Sequence, residues 1–205
     1  MSSEPKRHFT VEEYLVLERQ AETRNEYRDG EIFAMRGASL LHNRISGNVA
    51  AALHNQLRDR GCTVLAHNMR LRVRAANVFT YPDVVVYCGE PQLDDAAMDT
   101  LLNPVLIVEV LSKSTEDYDR GKKFVYYRAL PSLAEYVLVA QDRPHVEHFT
   151  RQPAPPGAEA PEGMRWLLTE TDRIEAELTL SSIGCRLALA DVYEGMSAGA
   201  SAARE

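Results

Sequence analysis

Apolar residues occupy nearly every position of two short stretches of the chain, and each stretch carries one carboxylate. In residues 105–111 (VLIVEVL), apolar side chains fall on both faces of an extended strand, and Glu109 lies among them. Residues 83–88 (DVVVYC) begin with Asp83, directly after Pro82. Runs that are apolar on both faces are typical of strands at the buried centre of a sheet. Both stretches are therefore predicted to be buried strands.

Three segments have the features of helices. The pair Thr10 and Glu13 has the pattern of a capping box and predicts a first helix to about residue 22. Residues 39–61 place apolar side chains at helical spacing and end in glycine, which predicts a second helix. A third helix is predicted between residues 114 and 131, where acids suit the positive end of the helix and a proline closes it.

Alternation and turn residues predict further strands. The Asp29-Gly30 pair marks a turn, either between two short strands or between a helix end and a strand. Residues 69–74 (MRLRVR) alternate, which predicts apolar side chains facing inward and three arginines facing outward: Arg70, Arg72 and Arg74. Residues 89–104 are expected to be loop-like. The remaining segments are predicted to complete the sheet around a Pro/Gly-rich hairpin loop at 152–163: residues 135–140, 145–150, 164–170 and a final β-rich segment.

Size and composition predict one globular domain. The chain has 205 residues, of which 45% are hydrophobic and 26% are charged. We expect a single domain over residues 1–196 and a disordered tail over residues 197–205. The order of strands and helices predicts an α/β fold with a central mixed β-sheet flanked by helices.

Charge, hydropathy and cysteine content limit the binding partners, the cellular compartment and the cysteine chemistry that we expect. The net charge of −7 argues against broad, non-specific binding of phosphates. No apolar run approaches the roughly 20 residues of a membrane span, and the first residues lack the apolar core of a signal peptide. We therefore expect a cytoplasmic protein with no membrane association. Cys62, Cys88 and Cys185 are few, odd in number and far apart, which predicts neither a disulfide framework nor a zinc site.

The two buried carboxylates are the strongest chemical signal in the sequence. An ionised carboxylate inside a sheet costs roughly several kcal/mol unless a cation or hydrogen-bond donors compensate it. If the two predicted strands pair, Asp83 and Glu109 converge at one end of the sheet. Two carboxylates in a dry site repel each other, and a hard divalent cation relieves that repulsion. Magnesium takes few protein oxygens and leaves room for a phosphate.

The third predicted helix supplies a candidate amine. Asp119, Lys123 and Tyr127 are spaced at i, i+4 and i+8 and therefore share one helix face. Because this helix follows the Glu109 strand closely, its inner face can return Lys123 towards the carboxylates. Lys122 points about 100° away and is predicted to face solvent. Lys113, in the turn, is the competing candidate.

The ordered set of these residues resembles a known family. The chain is similar to the restriction-endonuclease-like family of uncharacterised bacterial proteins, within the PD-(D/E)XK nuclease superfamily. The likeness rests on these residues: Pro82-Asp83, Glu109 in IVEVLS, Ser114-Thr115, Asp119, Lys123 and Tyr127. It extends to TVEEYL, NEYRDGEIFAM with Glu26, His42 and ALPSLAEYVLVA, and covers about residues 9–195.

The resemblance implies a restriction-endonuclease-like fold and a magnesium-dependent endonuclease that hydrolyses DNA phosphodiester bonds, often as a homodimer. Manganese is expected to substitute for magnesium. The superfamily pattern places a lysine two residues after the glutamate, where this chain has Leu111. The family carries that lysine on the following helix, which corresponds to Lys123.

Each candidate residue has a role in this hypothesis. Asp83, Glu109 and the Val110 carbonyl would ligate the metal, and Lys123 would orient the attacking water. Glu26 is the fourth catalytic candidate and would bind a second ion or its water shell. The candidate substrate-binding residues are His42, Arg70, Arg72 and Tyr127.

Structural roles compete with these assignments. Glu109 could form a buried salt bridge with Lys123 or with an arginine, and Asp119 with Lys123 could be an ordinary helical ion pair. His42 is favoured as a hydrogen-bonded histidine at the core edge, and Glu26 could simply be solvated. The arginines of residues 70–74 could equally be the solvent-facing side of a sheet edge.

Two other functions remain open from the sequence. One is a non-catalytic nuclease-like module that binds nucleic acid or a protein partner, which Leu111 and the acidic net charge favour. The other is a metal hydrolase for a small phosphodiester.

Overall fold

The strands form sheets of six, five and two strands in the computed structural model, which describes residues 7–153 and 165–196. The strands are β1 (Asn25–Arg28), β2 (Glu31–Ala34), β3 (Cys62–Ala66), β4 (Arg70–Val73), β5 (Val78–Thr80), β6 (Val84–Cys88), β7 (Thr100–Leu101), β8 (Leu106–Leu111), β9 (Glu135–Ala140), β10 (Val146–Gln152), β11 (Arg165–Thr171), β12 (Glu177–Leu180) and β13 (Cys185–Ala188). The helices are α1 (Val11–Gln20), α2 (Leu40–Leu57), α3 (Glu116–Tyr118), α4 (Phe124–Arg128) and α5 (Leu189–Val192), with a 3-10 turn at Arg74–Ala76 and a π-helical turn at Asp119–Lys123.

The six-stranded sheet is mixed and has the two carboxylate strands next to each other. Its order is β11-β10-β9-β8-β6-β3. Strand β8 runs antiparallel to β6 and parallel to β9, and all six of its residues are buried. The predicted α/β fold with a central mixed sheet is confirmed. The predicted buried strands are β8 and β6.

Two hydrophobic cores lie against opposite faces of this sheet. On one face, Leu106, Val108 and Val110 of β8 pack with apolar residues of α2, α5 and the β12–β13 sheet. On the other face, Ile107 and Leu111 pack with residues of α4 and of the five-stranded sheet. That second sheet has the order β2-β1-β5-β4-β7. Because both faces of β8 are covered, a carboxylate within it has little access to water.

The first helix and the first hairpin position one side of the site. The predicted capping box is present: Glu13 N–H donates to Thr10 Oγ1 at 3.2 Å, and Thr10 N–H donates to Glu13 Oε2 at 2.8 Å. Helix α1 ends at Gln20, two residues before the predicted end. The Asp29-Gly30 turn joins two strands, β1 and β2, and both of its residues have positive φ. Gly30 suits this turn because glycine adopts positive φ without steric cost.

Several sequence-based predictions need correction. Arg70 faces inward and is only 3% exposed, because its guanidinium contacts Asp99, Thr100 and Tyr81, which follow it by 11 to 30 residues. Residues 89–104 are not all loop, since β7 pairs with β4. The final β-rich segment forms a separate two-stranded sheet rather than completing the large one.

The prediction that the cysteines form no disulfide framework was wrong for one pair. Cys62 and Cys88 face each other in the β3–β6 register and form a disulfide, and Cys185 is free and buried. The two cysteines are 26 residues apart in sequence, and only the register of β3 with β6 shows that they are neighbours.

The third helix begins later and is less regular than predicted. It starts at Glu116 after the N-cap residue Thr115, whose side chain makes no capping hydrogen bond, and it passes through the π-helical turn before α4. The predicted loop at 152–163 lies mostly, and the predicted tail at 197–205 wholly, outside the described residues. Among the described residues, none of the helices has the length and apolar content of a membrane-spanning helix.

Candidate active site

The two carboxylates of the central sheet lie side by side at one end of β6 and β8. The antiparallel register pairs Val84 with Val108, so that Asp83, one residue earlier, lies opposite Glu109. Asp83 Oδ2 accepts a hydrogen bond from the Val110 backbone N–H at 2.8 Å. Both side chains line the same cleft. The structure therefore brings together the pair on which the metal hypothesis depends.

Lys123 compensates the charge of Glu109. Its ammonium nitrogen Nζ lies 2.8 Å from Glu109 Oε1, 3.3 Å from Asp119 Oδ1 and 3.8 Å from Glu26 Oε1. The lysine is 5% exposed and Glu109 is 3% exposed, so this is an ion pair in a dry environment. Both ion pairs that were considered as structural alternatives to a catalytic role, Glu109–Lys123 and Asp119–Lys123, are thus present in the structure.

The π-helical turn sets the position of Lys123. Asp119–Lys123 forms this turn, and the neighbouring Lys122 faces solvent as predicted. One turn further along, the Tyr127 hydroxyl donates to Glu109 Oε1 at 2.8 Å. Single π-helical turns inside helices are often found at functional sites. The prediction that Asp119, Lys123 and Tyr127 share one helix face is therefore confirmed.

Glu26 is held among hydrogen-bond donors and is not solvated. It lies in β1 and is 4% exposed. Thr80 Oγ1 donates to Glu26 Oε1, the Arg28 guanidinium contacts Oε2, and the Tyr118 hydroxyl donates to Oε2 at 3.3 Å. Glu26 therefore extends the carboxylate cluster to the five-stranded sheet.

Burial and charge shift the protonation equilibria of this cluster. Burial raises the pKa of Glu109 to about 8; Asp83 and Asp119 add to the increase, and Lys123 opposes it. Burial alone would lower the pKa of the Lys123 amine, but Glu109, Asp119 and Glu26 raise it well above its usual range. The lysine is therefore charged at neutral pH.

The pKa of Glu26 shifts in the opposite direction. Burial acts to raise it, but the charge of Lys123, the hydroxyl of Thr80 and the guanidinium of Arg28 together hold the pKa of Glu26 below its usual value. Burial also raises the pKa of Tyr127 well above its usual range, with Glu109 as the next cause. Glu26 is thus ionised and Tyr127 protonated at neutral pH, and two neighbouring carboxyls, Glu26 and Glu109, differ in proton affinity.

Histidines contact Asp83 from two further elements. His42, in the first turn of α2, places Nε2 2.8 Å from Asp83 Oδ1, and its backbone N–H donates to the N-cap residue Ser39 at 3.1 Å. This is the hydrogen-bonded position favoured for His42, here at the cleft. His67, in the turn after β3, has φ +64° and donates its backbone N–H to the Asp83 carbonyl at 2.9 Å. A positive φ outside glycine is uncommon and marks this turn as constrained.

A cleft of about 850 Å³ opens above these groups. Its base carries Glu26, Asp83, Glu109 and Lys123. One wall is formed by residues 33–39, from the end of β2 to the start of α2, and a second wall includes residues 112–115, after β8. Lys113 lies on that second wall and is exposed, so it is separated from the buried amine of Lys123.

Two of the candidate substrate-binding residues lie elsewhere. Arg70 Nη2 is 2.6 Å from Asp99 Oδ1, and Arg72 Nη1 is 2.5 Å from Asp94 Oδ2. Neither arginine lines the cleft. The arginines that were expected to face outward are thus paired with acids of residues 94–99. The alternation of residues in β4 alone does not reveal this pairing.

Sequence reasoning missed three residues that contact Glu26: Thr80, Arg28 and Tyr118. Arg28 follows Glu26 at i+2 in β1, and this strand alternation was a usable signal, because side chains two apart share a face. Thr80 comes from β5 and has no such signal, since it reaches Glu26 only through the five-stranded sheet.

The chemistry of the site fits one hard divalent cation. Asp83 and Glu109 offer carboxylate oxygens, which magnesium and manganese prefer. Both described contacts to the Glu109 carboxylate use Oε1. Within residues 7–153 and 165–196 no three His, Cys, Asp or Glu side chains are grouped as a complete metal cage. A cation that takes one or two carboxylates and keeps several waters, as magnesium does, needs no such cage.

Comparison with known sequences identifies the family of this chain. A family model described as "Uma2: Putative restriction endonuclease" matches residues 11–190. The uncharacterised protein sll1609 of Synechocystis sp. (strain ATCC 27184 / PCC 6803 / Kazusa) is 37% identical over 173 residues, which cover 84% of this chain and 93% of that protein. A second uncharacterised protein of the same organism, slr1290, is 32% identical over 198 residues, which cover 95% of this chain and 96% of that one.

A solved structure has a similar fold. The crystal structure of a putative nuclease belonging to DUF820, from Anabaena variabilis ATCC 29413, superposes with a TM-score of 0.69. The superposition covers 90% of this chain and 97% of the Anabaena protein, at 17% sequence identity. At this identity the comparison establishes the fold alone.

Proposed function

This chain belongs to the Uma2 family of putative restriction endonucleases, and from that membership and the carboxylate cleft we propose that it is a metal-dependent endonuclease that hydrolyses DNA phosphodiester bonds. The observation that carries the proposal is the position of Asp83 opposite Glu109, at the base of a cleft, with the amine of Lys123 on Glu109. Two carboxylates can hold a divalent ion, and a nearby amine can stabilise the charge that develops on a phosphate during hydrolysis.

The proposed metal ligands are Asp83, Glu109 and the Val110 carbonyl. A divalent ion there, magnesium or manganese, would stabilise charge on the scissile phosphate and acidify water. Glu109 can offer Oε2 without giving up its contacts to Lys123 and Tyr127, which use Oε1. Asp83 is oriented by the Val110 N–H and by His42. Such supporting hydrogen bonds fix the direction of carboxylate lone pairs.

Lys123 is the proposed catalytic amine. Its charge, sustained by three carboxylates, would orient the attacking water and stabilise the negative charge that develops on the phosphate. The amine comes from the helix, so Leu111, at the usual position of the superfamily lysine, is free to pack in the core. Tyr127 holds Glu109 in place and is a positioning residue rather than a substrate ligand.

Glu26 and His42 have proposed secondary roles. Glu26 shares Lys123 with Glu109 and would bind a second ion or its water shell. His42, 14% exposed at the cleft and bonded to Asp83, would contact phosphate or relay a proton. Assembly into a homodimer remains a prediction from the family.

A non-catalytic nuclease-like module is the second candidate. Leu111 in place of the superfamily lysine and the net charge of −7 favour it. In this case the Glu109–Lys123 pair would be a structural ion pair. Calorimetry distinguishes the two, because a folded protein that binds neither magnesium nor manganese would be such a module.

The proposal is tested by cleavage of supercoiled plasmid DNA with magnesium or manganese. We expect nicking or linearisation by the parent protein and none by Asp83→Asn. Asp172→Asn is the matched control, because Asp172 is exposed and lies outside the cleft, so it should cut like the parent. Cleavage that persists in both Asp83→Asn and Glu109→Gln would show that another site is responsible.

A further inference from the structure

A second, smaller cavity of about 460 Å³ adjoins the cleft. We call it the flanking pocket; it is lined by residues 21–24, residues 35–37 and Asn68. Residues 35–37 line both cavities, so one short segment separates the flanking pocket from the carboxylate cleft. Nothing in the proposed chemistry uses this pocket.

Two backbone features hold the pocket beside the cleft. The Met35 N–H donates to the Arg24 carbonyl at 2.9 Å, which extends the β1–β2 hairpin by one residue pair and places Arg24 next to the segment that carries Arg36. The constrained turn after β3 places His67 in the cleft and Asn68 in the flanking pocket. The two cavities are therefore connected by ordered backbone on two sides.

The flanking pocket carries cations that the protein does not neutralise. Arg24 and Arg36 are exposed, and no carboxylate in the described part of the chain forms an ion pair with either. The Arg24 guanidinium lies 5.1 Å from the ring centroid of Tyr81, which itself lines the cleft. One acid, Glu22, also lines the pocket.

Nearby arginines contrast with this pair. Arg19 binds Asp95 and Asp99, and the arginines of β4 and the following turn bind Asp94 and Asp99. These arginines are thus paired with the acids of residues 94–99, whereas Arg24 and Arg36, beside the cleft, have no carboxylate partner in the described part of the chain. A guanidinium without a carboxylate partner, at the edge of a cleft, is suited to bind phosphate.

We infer that the flanking pocket binds a phosphate of the nucleic-acid backbone adjacent to the scissile phosphate, through Arg24 and Arg36. This inference rests on the proposed nuclease function and specifies its substrate as a polynucleotide that extends past the carboxylates, not a small phosphodiester. A nucleic-acid strand carries one charge per about 3.4 Å of helix axis, so a strand with one phosphate over the carboxylates necessarily presents others nearby. Phosphate contacts of this kind position the strand and do not read sequence.

The test measures binding of the full-length Asp83→Asn protein, with magnesium present, to a fluorescently labelled DNA duplex and to its single strand. Fluorescence anisotropy over a series of salt concentrations gives the affinity and its salt dependence. In the Asp83→Asn background, Arg24→Ala/Arg36→Ala should weaken binding about tenfold for each arginine. It should also reduce the salt slope of log K by about 0.9 per lost contact on duplex, or by about 0.7 on single strand.

Two further variants separate a specific contact from general charge and from misfolding. Arg58→Ala/Arg173→Ala removes the same charge from exposed arginines that line neither cavity, and it should leave affinity and slope unchanged. Glu22→Gln removes the acid from the pocket and should tighten binding, an effect that unfolding cannot produce. Circular dichroism should show the same fold in all four proteins.

The outcomes distinguish this inference from the proposed function. If the wild-type protein cuts DNA but Arg24→Ala/Arg36→Ala keeps the affinity and salt slope of its parent, the flanking pocket is not a phosphate site and the nuclease proposal stands. If the wild-type protein cuts no nucleic acid and Asp83→Asn binds none, both proposals fail. A loss of affinity and slope that is confined to the flanking-pocket variant supports the inference.

Discussion

The ammonium nitrogen of Lys123 lies 2.8 Å from Oε1 of Glu109, and both side chains are almost completely buried. This contact identifies the group that compensates a carboxylate in the interior of a central strand. The lysine ends the π-helical turn and also contacts Asp119, which begins that turn, at 3.3 Å. One ammonium group thus contacts a carboxylate of the central strand and a carboxylate of the π-helical turn.

Replacing Lys123 by methionine should destabilise the protein strongly. Breaking a buried ion pair leaves uncompensated charge and typically costs about 3–5 kcal/mol of the free energy of unfolding. The matched control is Lys122→Met, since Lys122 is exposed and should change stability by less than about 0.5 kcal/mol. Urea denaturation of the three proteins measures the difference. Equal stability of the two variants would show that the Lys123 contacts contribute little.

Lys123 and Lys113 should differ in their effect on catalysis. Lys123→Arg keeps the charge but not the compact ammonium, and we expect kcat for DNA cleavage to fall by about 100-fold or more. Lys113→Met removes an exposed cation from the cleft wall, so KM should rise while kcat changes little. Steady-state kinetics separates the two parameters. A kcat effect confined to Lys113→Met would make the turn lysine the catalytic amine.

The raised pKa of Glu109 predicts a specific dependence of stability on pH. Because folding raises this pKa from 4.5 to about 8, the folded protein holds the proton more tightly than the unfolded chain. The resulting stabilisation is complete below about pH 4.5 and is lost as pH rises to about 8. Relative to the parent, Glu109→Gln should therefore gain free energy of unfolding across that range.

Urea denaturation at a series of pH values checks this expectation. Glu175→Gln serves as the control because Glu175 is exposed, and its difference from the parent should not vary with pH. A pH-independent difference between the parent and Glu109→Gln would contradict the shifted pKa.

The Cys62–Cys88 disulfide should contribute measurably to stability. It closes a loop with a sequence separation of 26, for which chain entropy predicts about 3 kcal/mol. Cys88→Ser should lose this amount in oxidising buffer, and added reductant should affect the parent but not the variant. If reductant leaves the parent unchanged, the bond does not stabilise the fold.

Local patterns sufficed for much of the fold. The two-faced apolar runs identified β6 and β8 as buried strands, because burial on both faces forces an unbroken apolar sequence. Helical spacing placed Asp119, Lys123 and Tyr127 on one face, although the turn they occupy is partly π-helical. These features depend on neighbours in sequence.

Features that depend on distant strands were missed. The inward position of Arg70 requires Asp99, and alternation in β4 alone assigns the arginine to the outer face. The disulfide requires the β3–β6 register, and the Thr80 contact to Glu26 requires the order of the five-stranded sheet. No local pattern carries this information.

The most direct test of the central claim is a crystal of the protein soaked in manganese, with anomalous diffraction measured near the manganese absorption edge. We expect one anomalous peak between the carboxylates of Asp83 and Glu109, and no such peak in Asp83→Asn. A well-ordered cleft without a peak at that position would contradict this expectation.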